Sequence, residues 1–332
     1  MAKSKGKSNN KKETASTSFL GKVVRTTGAN YTVKPLDEGP TVECRVKGKF
    51  RLKGIRTTNP VAVGDLVKFT PPTEGEVGYI TEILPRKNYI IRRASNLSKE
   101  SHILAANIDQ ALLVISMREP STPIVFIDRF LATCEAYDIR ASIILNKIDL
   151  LDTSDQELVD GLRVLYEGLG YGFLTTSATT GEGIDQLRRL TKDKSSLMAG
   201  NSGVGKSSLI NALVPGLNLK TGKISDIHQT GMHTTTFSEM ILLPYGGELI
   251  DIPGVKGFGM IDFSPEEVSH YFPEIFREGR NCRFDDCRHI GEPGCAVREC
   301  VDRHYIAESR YASYQNILEE TLDEDGKYRK PF

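Results

Sequence analysis

The sequence predicts a multidomain chain: a small N-terminal β-barrel of OB-fold type, then an α/β domain on a parallel sheet, then a mainly helical module. Three observations carry that reading. Short β-like runs fill residues 19–91, strands alternate with helices beyond residue 94, and cysteines crowd into a helical stretch after residue 263. A chain of 332 residues also exceeds what one compact core absorbs.

Residues 1–17 are mostly Lys, Ser, Asn and Thr with almost nothing to bury, so a disordered basic tail is expected. The barrel is placed at 18–95, where runs at 21–26, 30–35, 42–50, 65–70, 78–84 and 88–92 are separated by turn residues. Val42, Cys44 and Val46 alternate with Glu43, Arg45 and Lys47, the period of a half-buried strand. Five or six such strands fit a small barrel. Net charge is zero, yet through Arg93 there are 19 Lys/Arg against 8 Asp/Glu, so this part carries +11 and the remainder −11. That asymmetry points to an RNA-binding OB-fold; a barrel that only packs on its neighbour is the plainer alternative.

The α/β domain is placed at 96–262, with buried strands at 111–115, 142–145, 173–176, 197–199, 240–243 and 249–252 and helices at 127–137 and 156–169. Residues 263–332 form the helical module. Nothing approaches the ~20 consecutive apolar residues of a membrane span, and the N-terminus lacks the apolar core of a secretory leader. The expectation is a cytoplasmic monomer without membrane contact.

The strongest chemical signal is Gly200-Asn201-Ser202-Gly203-Val204-Gly205-Lys206-Ser207, between an apolar run and a helical one beginning near Ser208. Strand, loop and helix in that order are the context of a P-loop. Glycines let backbone N–H groups close around phosphate oxygens, the helix N-terminus adds dipole and free donors, Lys206 reaches the β- and γ-phosphates, and Ser207 offers its hydroxyl to Mg²⁺. The base is read elsewhere. Asn146-Lys147-Ile148-Asp149 follows a strand, and the Asp149 carboxylate can accept from guanine N1–H and the 2-amino group together, a pair adenine lacks. Asn146 contacts the base edge or neighbouring loops, and the Lys147 stem covers the ring. Thr176-Ser177-Ala178 fits the loop whose backbone meets guanine O6. Asp251-Ile252-Pro253-Gly254 places a carboxylate for the Mg²⁺ shell and an N–H for the γ-phosphate, the alternative being a turn that merely closes a strand.

The expected ligands are therefore GTP or GDP with Mg²⁺, in a P-loop GTPase domain whose motifs run in rotated order. The N-K-x-D and Ser-Ala segments precede the P-loop, and D-x-x-G follows it. Because the site needs only adjacent strand ends, a circular permutation with its join at 180–196 preserves it. Val255 stands where many GTPases keep a water-orienting Gln. The nearest substitute is His233, in Gly231-Met232-His233-Thr234-Thr235-Thr236, with an exposed loop histidine as the alternative. Thr235 is the expected Mg²⁺-reaching hydroxyl. Four of the six cysteines fall at 282, 287, 295 and 300, and Cys282, Cys287, His289 and Cys295 offer three thiolates and an imidazole, a donor set for a closed structural Zn²⁺ site. Cys300 remains a possible substitute ligand.

The ordered set of N-K-x-D, Ser-Ala, P-loop, H-T-T-T, D-x-P-G and C-x4-C-x-H-x5-C, after a barrel, resembles the RsgA/YjeQ family of ribosome small-subunit-dependent GTPases, from about Phe19 to past Cys300. The resemblance implies GTP hydrolysis stimulated by the small ribosomal subunit during its late maturation, with barrel and zinc domain touching the particle and its rRNA. It also implies His233 as the catalytic histidine and Cys282, Cys287, His289 and Cys295 as zinc ligands. One departure is Met232, where the family often has Arg. The expected device is a switch in which GTP orders residues 225–260 and the zinc module moves with them. The rivals are an RNA-modification GTPase independent of the subunit, and a nucleotide-gated RNA-binding module whose hydrolysis is incidental.

Overall fold

The period-two runs near the N-terminus do close on themselves. In the computed structural model, which describes residues 18–46, 60–72, 77–93, 101–219, 239–251 and 264–322, five strands form a barrel. They are β1 (Phe19–Thr27), β2 (Asn30–Pro35), β3 (Val42–Val46), β4 (Leu66–Thr70) and β5 (Gly78–Ile83), paired in the order β1-β2-β3-β5-β4 with β4 returning to β1. The β3–β5 pair is parallel and the others are antiparallel, the partly open Greek-key arrangement of an OB barrel. Val23, Val33, Cys44, Val67, Phe69 and Ile80 fill it. The expected disordered tail lies outside the described residues.

The sixth run does not join the barrel. It forms β6 (Tyr89–Arg93), which pairs antiparallel with β7 (Ser101–Ala106) in a separate two-stranded sheet. Ile90 is the reason: it is fully buried with Ala105 and Ile108 in the core of the next domain. Just before it, Arg86 grips both oxygens of the wholly buried Asp65 at 2.6 and 2.7 Å, so this connector is pinned to the entry of β4.

The α/β domain runs β8 (Gln110–Ile115), α1 (Ile124–Ala136), β9 (Arg140–Leu145), α2 (Gln156–Gly168), β10 (Gly172–Thr175), α3 (Ile184–Thr191), β11 (Ser195–Ala199), α4 (Lys206–Leu213), β12 (Glu239–Leu242) and β13 (Glu248–Asp251). Strands β10-β9-β8-β11-β13 are parallel in that order, and β12 is antiparallel to β13. Alternate residues of each strand feed opposite faces. Ala111, Leu113 and Ile115 pack with α1 and α2, whereas Leu112 and Val114 pack with α3 and α4. Both faces being covered, the strands read as unbroken apolar runs. Helix α3 lies within the expected join, and residues 192–194 turn it into β11. The barrel meets this sheet at its edge, where Arg25 of β1 pairs with Glu239 of β12 and Lys22 bonds Glu248 at 2.7 Å.

The C-terminal module carries α5 (Pro265–Val268), α6 (Pro273–Gly279), α7 (Ala296–Asp302) and α8 (Glu308–Thr321). Ser264 and Glu267 make a capping box that starts α5, and prolines open α5 and α6, where a missing N–H does no harm. Its core of Val268, Phe272, Ile275, Val297, Ile306, Tyr314, Ile317 and Leu318 takes in Ala132 of α1. Beside it Arg310 of α8, 0% exposed, donates to Asp128 of α1 at 2.9 Å and to Glu274 of α6 at 2.6 and 3.2 Å. Tyr166 of α2 completes the network on Asp128. The module is therefore attached to the α/β domain through α1, by the Arg310–Asp128 pair and by Ala132. No helix among the described residues is long and apolar enough to cross a membrane.

Candidate nucleotide site and Cys/His cluster

Strand ends from distant stretches of sequence meet at one edge of the sheet. The P-loop joins β11 to α4, and it can bend as it does because Gly200, Gly203 and Gly205 adopt φ of 146°, 87° and 95°. Space demands glycine as well. A Cβ on Gly200 would lie 2.3 Å from the Val114 carbonyl oxygen at the end of β8, and one on Gly205 would lie 2.3 Å from Asn146 Nδ2 at the end of β9.

Asn146 is the knot. Only 1% exposed, it donates from Nδ2 to the Val204 carbonyl at 2.9 Å, while Oδ1 accepts from Thr176 Oγ1 at 3.2 Å and Ala178 N at 3.3 Å. These are contacts with neighbouring loops, one of the two roles open to it from sequence. One buried amide thus binds the 146–149 segment, the 176–178 loop and the P-loop together, and leaving any of those groups unpaired costs about 1–3 kcal/mol. Asp149 sits in the 3₁₀ turn Ile148–Leu150, where Ser177 Oγ donates to its Oδ1 at 2.5 Å and fixes the carboxylate. Lys147, at φ 64°, sends Nζ to the Glu119 carbonyl oxygen.

Lys206 opens α4, and its Nζ donates to the carbonyls of Gly200 at 2.5 Å and Asn201 at 3.1 Å, inside the loop it would leave to meet a phosphate. Burial pushes its pKa down, and attraction to Asp251 opposes that. Asp251 ends β13 beside Met198 of β11; burial pushes its carboxyl up, and Lys206 opposes that. Among the described residues its buried Oδ1 meets no hydrogen-bond partner. An orphaned carboxylate oxygen next to the P-loop, with Ser207 in the first turn of α4, is a donor set that fits a hard divalent cation such as Mg²⁺. Gly200, Asn201, Ser202, Gly203, Val204, Gly205, Ser207 and Ser208 all lie on this loop and helix start, whereas His233, Thr235, Gly254 and Val255 fall outside the described residues.

The second cluster is compact. The ligand atoms of Cys282, Cys287, His289 and Cys295 lie within 4.8 Å of one another. His289 Nδ1 is 3.5 Å from Sγ of both Cys282 and Cys295, and those two sulfurs are 3.9 Å apart. A tetrahedron with Zn–S of about 2.3 Å and Zn–N of about 2.05 Å has edges of about 3.5 Å (S–N) and 3.8 Å (S–S), so the spacing suits Zn²⁺. Cys300 is not in the group; its Sγ faces Glu278 Oε2 at 3.8 Å. Sequence reasoning missed Glu292, whose carboxylate accepts from the backbone N–H of Arg288, Ile290 and Gly291 at 2.8–3.0 Å and so shapes the knuckle bearing His289. Burial would raise its pKa, yet its own backbone N–H and these three donors hold it down to about 2. Tyr311 and Tyr314 add hydroxyl bonds to the carbonyls of His289 and Arg288.

The sequence profile of the RsgA GTPase matches residues 83–261, and that of the RsgA N-terminal domain matches residues 20–80. A Bacteroides fragilis protein named small ribosomal subunit biogenesis GTPase RsgA is 55% identical over 312 residues, 94% of this chain and 99% of its own. Among solved structures, YjeQ from Thermotoga maritima aligns with a TM-score of 0.74 at 36% identity, over 92% of this chain and 98% of its own. YloQ, described as a circularly permuted GTPase, aligns at 0.69 and 28% identity, over 96% and 99%.

Proposed function

Since this chain belongs to the RsgA GTPase family, we propose that it hydrolyses GTP to GDP and phosphate while bound to the small ribosomal subunit, during that particle's late maturation. The observation that carries the site assignment is the Asn146 tie, which holds the base-reading and phosphate-binding loops at a fixed mutual distance.

In this reading Asp149 accepts from guanine N1–H and the 2-amino group, with Ser177 holding the carboxylate in plane, while the backbone of Ser177 and Ala178 meets O6 and the Lys147 stem covers the base. The N–H groups of residues 200–208 surround the phosphates, and Lys206 exchanges its loop carbonyls for phosphate oxygens. Ser207, Thr235 and Asp251 hold Mg²⁺, which when bound supplies charge neutralisation at the β- and γ-phosphates. The Gly254 N–H meets the γ-phosphate. His233 orients the attacking water, because Val255 offers no polar atom for that task. Water adds to the γ-phosphorus as its bond to the bridging oxygen of GDP breaks.

Residues 18–95 serve as the RNA-facing barrel, 96–262 as the GTPase domain and 263–332 as a zinc domain in which Cys282, Cys287, His289 and Cys295 hold a structural ion. The basic excess through Arg93 favours an rRNA contact by the barrel. The protein acts as a cytoplasmic monomer. Phosphate release with and without purified small subunits tests the proposal. Stimulation by the subunit is expected, with His233→Ala losing turnover while retaining GTP affinity. Rates indifferent to the subunit contradict it.

A further inference from the structure

We propose that Arg118, which lies outside every nucleotide motif, is a positioning residue that sets guanine-nucleotide affinity by bracing the loop after Asp149. The inference rests on the assignment of Asn146 to Asp149 as the base-reading loop.

Residues 116–122 form a turn between β8 and α1. Thr122 N donates to the Ser116 carbonyl at 2.8 Å, Ser116 N donates to Thr122 Oγ1 at 3.1 Å, and Ser116 Oγ donates to the Arg118 carbonyl. Glu119 stands at φ 51°, a left-handed conformation unfavourable to a residue with a side chain, and it persists because its surroundings fix it. Two of those surroundings belong to the nucleotide site. Glu119's carbonyl takes the Lys147 ammonium, and Pro120 Cδ lies 3.1 Å from where a Cβ on Gly203 would sit. The turn is therefore wedged between the P-loop and the base-reading lysine.

Arg118 bolts this wedge to the far side of the base-reading loop. Its Nη2 reaches Asp152 Oδ2 at 2.7 Å and Asp155 Oδ2 at 2.8 Å, and Nη1 donates to the Leu150 carbonyl at 3.2 Å. All three acceptors lie within six residues of Asp149. Asp152 N in turn donates to Asp155 Oδ2 at 2.9 Å, so the loop is closed on itself as well as on the guanidinium. The Ser154 hydroxyl and Arg118 hold the Asp152 carboxyl down to about 2, as expected of a carboxylate that accepts from both. Asp149 is thus steadied from two directions, by Ser177 on its carboxylate and by Arg118 on the chain that follows.

The guanidinium is 42% exposed and Asp152 54%, and pairs so exposed add little to folding stability. What they restrict is the freedom a ligand would otherwise have to quench on binding. The signature is therefore in affinity and not in the melting temperature.

The test uses the full chain and measures Kd for GDP, the melting temperature, and kcat at saturating GTP. Arg118→Ala is expected to raise Kd about tenfold, the scale of ordering one loop, with kcat within about twofold and an unchanged melt. Arg118→Lys recovers part of the affinity, since an ammonium can pair with a carboxylate but cannot span three acceptors as the planar fork does. Gln156→Ala, which removes an exposed hydrogen bond to Asp160 on the neighbouring helix, leaves Kd unaltered. Asp149→Ala serves as the reference. If it abolishes GDP binding while Arg118→Ala leaves Kd within twofold, the proposal is overturned and the base site stands. If Asp149→Ala leaves binding intact, the base-site reading fails and takes the proposal with it. A lowered melting temperature with unchanged Kd assigns Arg118 to stability alone and also overturns it.

Discussion

One methyl group added at Gly205 examines one of the two tightest approaches in the candidate nucleotide site. With φ at 95°, an alanine there occupies a conformation that costs about 1–2 kcal/mol for a residue with Cβ. The same Cβ would lie 2.3 Å from Asn146 Nδ2, closer than any real contact, so the amide must withdraw from the Val204 carbonyl it now bonds at 2.9 Å. Both groups are buried, and breaking their bond adds about 1–3 kcal/mol. The sum, about 2–5 kcal/mol, falls on the loop geometry that binding requires, and at 1.4 kcal/mol per decade it weakens GDP binding by about 30-fold or more. Titration with a fluorescent guanine nucleotide measures this, and a circular dichroism melt checks that the chain stays folded. Because the two side chains collide, Gly205→Ala and Asn146→Ala should be less than additive when combined. Affinity within threefold of wild type for Gly205→Ala would refute the claim that the Asn146 tie and the P-loop are set against each other.

Three other perturbations follow from the same geometry. Asp149→Asn presents one acceptor and one donor where the carboxylate offers two acceptors; it should lose about 10³-fold in GDP affinity and gain for xanthosine diphosphate, whose N1–H and O2 match it, as competition titrations would show. Under the proposed zinc assignment, a colorimetric metal assay should find one ion per wild-type chain, none in Cys282→Ser, and one in Cys300→Ser, whose sulfur is turned to Glu278. Arg310→Met leaves the Asp128 and Glu274 carboxylates buried without their cation and should cost about 3–5 kcal/mol, read as a lowered unfolding midpoint for the C-terminal module.

Legibility from sequence varied with the kind of physics involved. The parallel strands announce themselves because burial on both faces leaves Ala111 to Ile115 or Ser142 to Leu145 without a polar interruption beyond a hydroxyl. The motif order, and with it the permutation, is equally plain, since phosphate and guanine chemistry demand particular residues at strand ends. Pairing partners are another matter: the run at 88–92 alternates like a barrel strand, and nothing in that alternation says that Ile90 belongs to the neighbouring core. The segment that becomes β7, Ser-His-Ile-Leu-Ala-Ala, is too short and mixed to declare its period. Arg310 is the least visible of all. A cation in a helix reads as a solvated face, and only the convergence of α1, α6 and α8 reveals that it is wholly enclosed. Spacing favours Cys295 as the fourth donor but leaves Cys300 as a substitute, and the fold sets that substitute aside by turning its sulfur to Glu278.

The central claim is that strand ends from separate stretches of chain build one guanine-nucleotide site, with Asp149 choosing the base and Lys206 holding the phosphates. Isothermal titration of the full chain with GDP and then with ADP, in Mg²⁺, tests it most directly. A single GDP site that vanishes in Asp149→Ala, with ADP failing to bind, is the predicted result. No heat with GDP, or equal affinity for the two nucleotides, would contradict it.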